Sequence, residues 1–265
     1  MGGDGAHRYT YPSGIVVERD EAPHVVPPEL LPIQQRRVAA IRAEGKIVDD
    51  KPGVRLLDYS CTLDGPSEEA WPLRLRVGES SYERQFGTNT AMKERLPDGS
   101  TVAEKYAGTV EDFRTSVLAN LLAANLSVVT SDPVIFVAGR GQKVAINAGG
   151  ISCAVSGTGS PTLDLVDGLY SPFATAVREA KEEVFNPLTP SLTEVTFFGL
   201  ARTSLNRFPL LFGELRTPLT STQLESRARG WENGRMIGIP FTIKDVTDWI
   251  RPVYAARVAG KAQTA

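Results

Sequence analysis

From Leu73 to Val77 the chain alternates apolar and basic side chains, the two-residue period of a strand with one buried face. Gly53 to Leu63 has the same character, and the polar segment Asp64 to Glu69 between the two runs predicts a hairpin. Three- and four-residue spacing at Leu31, Gln34, Val38 and Ile41 predicts a helix from Leu30 to Glu44. Its Arg36, Arg37 and Arg42 fall on other faces, where they suit either phosphate binding or solvent. Phe113, Val117, Leu118, Leu121 and Leu122 have helical spacing too and predict a helix from Glu111 to Ala124. Tyr82 to Asn89 reads as a compact polar-aromatic element, and Leu96 to Ser100 as a turn.

Beyond residue 126 the pattern becomes strand-rich. Leu126 to Thr130 and Val134 to Gly139 predict a hairpin around Ser131-Asp-Pro. Thr193 to Leu200, Leu210 to Leu215 and Met236 to Phe241 read as further strands, and Ile243 to Ile250 begins a closing helix. Strands interleaved with few helices imply an α/β fold, a mixed sheet covered by helices on both sides. Residues 1–28, rich in Gly and Pro, read as a flexible leader or an arm laid on the surface. The expected organisation is this leader, an N-terminal extension over 29–125, a domain over 126–252 and a tail over 253–265.

Composition narrows the chemistry. The 265 residues carry 29 Lys and Arg against 31 Asp and Glu, a net charge of -2, which argues against a nucleic-acid binder. No apolar run is long enough to span a membrane. The N-terminus lacks the basic and apolar regions of a signal peptide, so a cytoplasmic location is the default expectation. Two cysteines, Cys61 and Cys153, provide no disulfide framework. His7 and His24 both lie in the leader, which leaves acid–base chemistry to carboxylates, lysine, tyrosine or metal-activated water.

The densest chemistry is Arg178-Glu-Ala-Lys-Glu-Glu183. On a helix Glu179, Glu182 and Glu183 share one face, while Phe173, Ala176, Val177, Ala180 and Val184 form the face to bury. Such carboxylates suit a hard divalent cation such as Mg²⁺ or Mn²⁺ and, through it, phosphate. The same residues also fit a solvated face with weak ion pairs.

The string resembles the core of the Nudix box, G-x5-E-x7-R-E-U-x-E-E-x-G-U with U aliphatic. Arg178, Glu179, Ala180, Glu182 and Glu183 match it, whereas Asp164, Tyr170 and Phe185 occupy the first Gly, the early Glu and the late Gly. The resemblance covers roughly residues 126–252. It implies a Nudix-type α/β/α sandwich with a β-rich N-terminal extension, Glu179, Glu182 and Glu183 as ligands of Mg²⁺ or Mn²⁺, and Arg178 orienting them. It further implies that Arg140, which closes the strand from Ile135, contacts substrate phosphate. Glu232, in the loop Arg229-Gly-Trp-Glu-Asn, stands where the family often places an additional carboxylate, and is the candidate general base. Glu214 is a second candidate, although a solvent-facing strand position suits it better.

A shorter element, Tyr82-x4-Gly87-Thr88-Asn89, is similar to the Nudix hydrolases that act on UDP-glucose and UDP-galactose, and makes Tyr82 a candidate substrate contact. A tight turn capped by Thr and Asn explains the same residues without a ligand. The expected activity is metal-dependent hydrolysis of the diphosphate of a nucleoside diphosphate derivative, with a nucleotide-sugar as the small-molecule partner. The alternative is a catalytically silent nucleotide-binding or regulatory module, which the departures at Asp164, Tyr170 and Phe185 favour. The base, the sugar and the oligomeric state stay open.

Overall fold

The computed structural model describes residues 8–45, 48, 50–61, 71–108, 112–140, 150–226 and 233–258. The chain contacts divide into two compact units. The first holds residues 1–124, 158–175 and 197–212; the second holds 125–157, 176–196 and 213–265.

The elements run in chain order as β1 (Tyr9–Thr10), β2 (Ile15–Arg19), α1 (Leu31–Ala43), β3 (Pro52–Cys61), β4 (Leu73–Ser81), α2 (Tyr82–Gly87) and α3 (Val102–Tyr106). Then follow β5 (Ala123–Val129), β6 (Val134–Arg140), β7 (Ile151–Cys153), β8 (Val155–Thr158), β9 (Leu165–Val166), β10 (Leu169–Tyr170) and α4 (Pro172–Ala180). The last are β11 (Val195–Arg202), β12 (Pro209–Arg216), α5 (Ser221–Glu225), β13 (Asn233–Pro240) and α6 (Ile243–Val258). The larger sheet has the order β1-β11-β12-β5-β6-β13, with β7 beside β6 and β8 beside β5. The architecture is α/β, as the pattern implies. No helix among the described residues is long and apolar enough to cross a membrane.

In the first unit the alternating strand pairs as expected: β3 and β4 are antiparallel, with Leu56 opposite Val77 and Cys61 opposite Leu73. Leu73, Leu75 and Val77 are buried, and Arg74 and Arg76 face outward. The other edge of β4 takes β2 in parallel, Ile15 opposite Leu73 and Arg19 opposite Val77, which makes this small sheet mixed. Within the segment 1–28, Tyr9–Thr10 and Ile15–Arg19 are strands.

The helix expected from Glu111 to Ala124 does not form. Residues 113–115 make a turn, 116–120 run without regular structure, and β5 begins at Ala123. Phe113, Leu118, Leu121 and Leu122 are buried as the pattern requires, but by a different backbone. Side chains from elsewhere take the place of a helical ladder. Thr88 Oγ1 accepts the Ala119 N–H at 3.0 Å, and Asn89 Oδ1 accepts the Asn120 N–H at 2.9 Å. Buried Arg55 donates to the carbonyls of Leu118 and Ser116. Asn120 takes a positive φ of 44°, accessible to Asn at modest cost, and its side chain bonds Ser116, Asn89 and Arg202. Asn89 also donates to the carbonyl of Asn206 at 3.0 Å. Thr88 and Asn89 are both fully buried, so in the Tyr-x4-Gly-Thr-Asn element this pair works as a clamp on backbone.

His24 completes the clamp. It is 4% exposed, and one ring nitrogen lies 3.0 Å from the Val117 carbonyl. A carbonyl only accepts, so Nε2 carries the proton and Nδ1 accepts from the Ser80 hydroxyl 2.7 Å away. Burial, reinforced by the charges of Arg55 and Arg84, pushes the imidazole pKa down from 6.5 to about 4. Below the unfolded value the unfolded chain binds a proton that the folded chain refuses. This contribution is therefore complete above pH 6.5 and lost progressively towards pH 4. It is worth on the order of 3 kcal/mol. Denaturant midpoints measured across this range should fall with acidity, and His24→Gln, neutral throughout, should flatten that segment of the profile.

Candidate functional site

Two residues of positive φ, Asp167 at 51° and Gly168 at 79°, turn β9 back onto β10, with Val166 opposite Leu169. This is the Asp-Gly two-residue hairpin turn whose twist matches its strands. Asp164, which replaces the first glycine of the box, is fully buried in front of that hairpin. Its Oδ2 accepts from the Ser160 amide and from the Thr175 hydroxyl, both at 2.8 Å, and its carbonyl accepts from the Ser171 amide at 2.8 Å. Asp164 therefore ties the loop to the first turn of α4. Tyr170, in place of the early Glu, lies over Gly159, where an added Cβ would come within 2.5 Å of the phenol oxygen. The third departure, Phe185, is a core residue at 3% exposure. Each departure from the motif carries a packing or capping role.

Pro172 opens α4, a position where its missing N–H costs nothing. Phe173, Ala176 and Ala180 are buried, the apolar face expected of it. From Lys181 to Phe185 the helix widens into a π turn. Such a turn advances each residue by a smaller angle than an α-turn, so the three glutamates diverge. Glu183 is turned inward at 5% exposure, while the Glu182 side chain is 60% exposed.

The inward pair meets β8. Glu183 Oε2 accepts the Ser156 N–H at 3.0 Å. Glu179, with a side chain 14% exposed, lies against Gly157, where an added Cβ would fall 1.8 Å from its Cδ and 2.0 Å from its Oε1. Gly157 is thus a cradle for one carboxylate beside the amide that holds the other. Ser156 is fixed in turn by donating to Asn125 Oδ1 at 2.8 Å. Arg178 Nη1 donates to Glu179 Oε1 at 2.6 Å and stands 3.7 Å from Glu182 Oε2. The arginine engages its neighbour Glu179 more closely than the i+4 partner.

An all-oxygen, all-carboxylate donor set fits a hard divalent cation. The fit rests on Glu179 and Glu183, carried to adjacent positions of β8 with Gly157 left bare for one of them. Glu182 extends into solvent, and among the described residues no group of three or more His, Cys, Asp or Glu side chains converges as a metal cluster. The spacing brings the acids onto one helix; the π turn separates the third.

Arg140 ends β6 opposite Asn233 of β13. Tyr82 belongs to the first unit, where its ring packs edge-on against Phe86 at 5.3 Å. Glu232 lies outside the described residues. Glu214 is not solvent-facing: it is 6% exposed and accepts two hydrogen bonds from Arg216, at 2.7 and 3.2 Å. Two positions along one strand put both on the same face, a pairing readable from Glu-Leu-Arg. Gly157 belongs to a glycine-rich stretch of the sequence that includes Gly149, Gly150 and Gly159.

No protein-family profile and no curated protein matches the chain. Solved structures similar to it include a Nudix hydrolase from Alicyclobacillus acidocaldarius, 17% identical, covering 52% of this chain and 84% of that one with a TM-score of 0.39. A MutT protein from Methanosarcina mazei is 10% identical and covers 54% and 96%, with a TM-score of 0.34. A bifunctional NMN adenylyltransferase/ADP ribose pyrophosphatase from Francisella tularensis, complexed with AMP and a manganese ion, is 12% identical. It covers 49% and 36%, with a TM-score of 0.34.

The cradle can be tested through its steric requirement. Gly157→Ala should displace the Glu179 carboxylate and cost about 1–2 kcal/mol, in the range of core overpacking. Glu179→Ala removes the atoms in conflict, so the double variant should be more stable than additivity predicts. A double-mutant cycle by chemical denaturation reads this coupling, and independent effects would mean that the carboxylate does not rest on Gly157.

Proposed function

We propose that the chain hydrolyses the diphosphate linkage of a nucleoside diphosphate derivative, best a nucleotide-sugar, with Mg²⁺ or Mn²⁺. The observation that supports this reading most is the pair Glu179 and Glu183 laid on Gly157 and Ser156 beside Arg178. The Arg-Glu and Glu-Glu positions of the Nudix box fall on this helix and supply its chemistry.

A diphosphate resists water because its anionic oxygens repel a nucleophile. The cation, when bound, would offset that charge and acidify water. Glu179 and Glu183 would hold it, with Glu182 reaching in from the solvent side, and Arg178 aims the Glu179 carboxylate through its 2.6 Å contact. Glu232 is assigned the proton of the attacking water, on the strength of its loop position in the sequence. The water oxygen forms a bond to one phosphorus, and the bond from that phosphorus to the bridging oxygen breaks. The products are a nucleoside monophosphate and a phosphorylated remainder. Arg140 and Tyr82 are assigned to phosphate and to the nucleoside or sugar.

Hydrolysis of UDP-glucose, UDP-galactose and ADP-ribose, followed by release of nucleoside monophosphate, tests the reading directly. Turnover should require Mg²⁺ or Mn²⁺. Glu179→Gln and Glu183→Gln should each weaken metal affinity by at least about tenfold to a hundredfold, the loss typical when even an outer partner is removed. The metal-induced rise in melting temperature should shrink accordingly, a readout independent of turnover. Nucleotide binding without product from any of these diphosphates would favour the silent module instead.

Glu232 gives a separate expectation. As a general base its replacement by Gln should lower kcat by about 10²–10⁴ with little change in metal affinity. If Glu232 merely faces solvent, the substitution will leave kcat unchanged.

A further inference from the structure

The first unit contains a cavity of about 560 Å³ whose lining includes Arg37, Thr90, Lys93, Arg95, Leu205 and Asn206. That volume lies within the roughly 300–1,000 Å³ of small-molecule sites. Three lining side chains are cationic. The one lining carboxylate, Glu94, is already engaged by two guanidinium groups: Arg36 at 2.7 Å and Arg37 at 2.9 Å. The cavity therefore retains a positive excess after its internal pairing is complete.

The cations differ in how firmly they are held. Arg37 also donates to Thr90 Oγ1 at 3.2 Å, which fixes its guanidinium plane at the wall. Arg95 spends one nitrogen on the Gly99 carbonyl at 2.8 Å and keeps the rest of its fork. Lys93 is exposed and forms no ion pair with any described residue. The opposite wall is equally fixed, since Asn89 grips the carbonyls of Asn206 and Arg207 at 3.0 and 3.4 Å. Leu205, 59% exposed, and Met92 add apolar surface among the polar groups. Guanidinium planes held at the wall, an exposed ammonium and mixed apolar–polar walls are the recognition set for a phosphate ester carrying an organic group.

We propose that this cavity binds a small organic phosphate of nucleotide size. It is a site built wholly from the first unit and requires no divalent cation. Its concavity and volume favour a small molecule over an extended polyanion.

The test is calorimetric titration of the full chain with AMP, UMP and inorganic phosphate in the presence of EDTA, which removes any metal-dependent binding from the reading. At least one nucleotide should bind more tightly than phosphate alone, and binding should weaken as salt is raised. Lys93→Glu should cost at least about tenfold in affinity through like-charge repulsion, whereas Lys93→Arg should retain it. Lys93 is exposed, so both variants should keep the wild-type melting temperature. Absence of binding by all three probes at millimolar concentration would overturn the proposal, as would unchanged affinity in Lys93→Glu. Loss of hydrolysis in Glu179→Gln leaves this result unaffected, so the two proposals fail separately.

Discussion

A backbone polar group that leaves water must find a partner, and in this chain the partners are repeatedly side chains from distant segments. Ser116 to Asn120 is the fullest case: Arg55, Thr88, Asn89 and His24 each take a backbone group of that stretch. Arg202 joins through Asn120 and stacks its guanidinium 4.1 Å from the centre of the Phe113 ring. The arrangement ties β2–β4 neighbours, the α2 terminus and the loop after β11 to one irregular segment. A buried, fully connected polar network of this kind specifies one geometry, because any slip leaves several groups unpaired at about 1–3 kcal/mol each.

The acidic helix obeys the same rule. The Ser156 amide is answered by Glu183 rather than by a strand neighbour alone, and Gly157 leaves room for Glu179. Burying a carboxylate is costly without donors. The β8 backbone and Arg178 supply them, and these donors hold the acids in place. Glu182, outside this arrangement, keeps its freedom.

What the sequence made legible was periodic. β3 and β4, α1 and the apolar face of α4 all sit where alternation or helical spacing put them. The 111–124 segment misled because its apolar residues are buried at helical intervals while its backbone is claimed by Arg55, Thr88 and Asn89, contacts that lie 31–63 residues apart in the chain and leave no local mark. Glu214 was misjudged for a smaller reason: strand alternation alone predicts a face, and the Arg216 partner two positions on decides whether a charge can be buried there. At the candidate site, Arg178 and the three glutamates were readable as a motif on one helix. The π turn that separates Glu182 from Glu183 was not: it coincides with burial of Val184 and Phe185, and no residue type in the segment signals it.

Arginine at position 178 has a physical justification beyond its match to a pattern. The Glu179 side chain is 14% exposed and lies against backbone, where a carboxylate needs a positioned donor. A guanidinium at 2.6 Å supplies one, and its planar fork orients the carboxylate as well as pairing with it. Lysine would offer charge without the plane. Glu182 stands 3.7 Å from the same guanidinium and is largely solvated, which gives Arg178 a second anion to lean on if Glu179 turns towards another cation. A residue paired to one acid and within reach of another keeps the local charge balanced whichever of the two it engages.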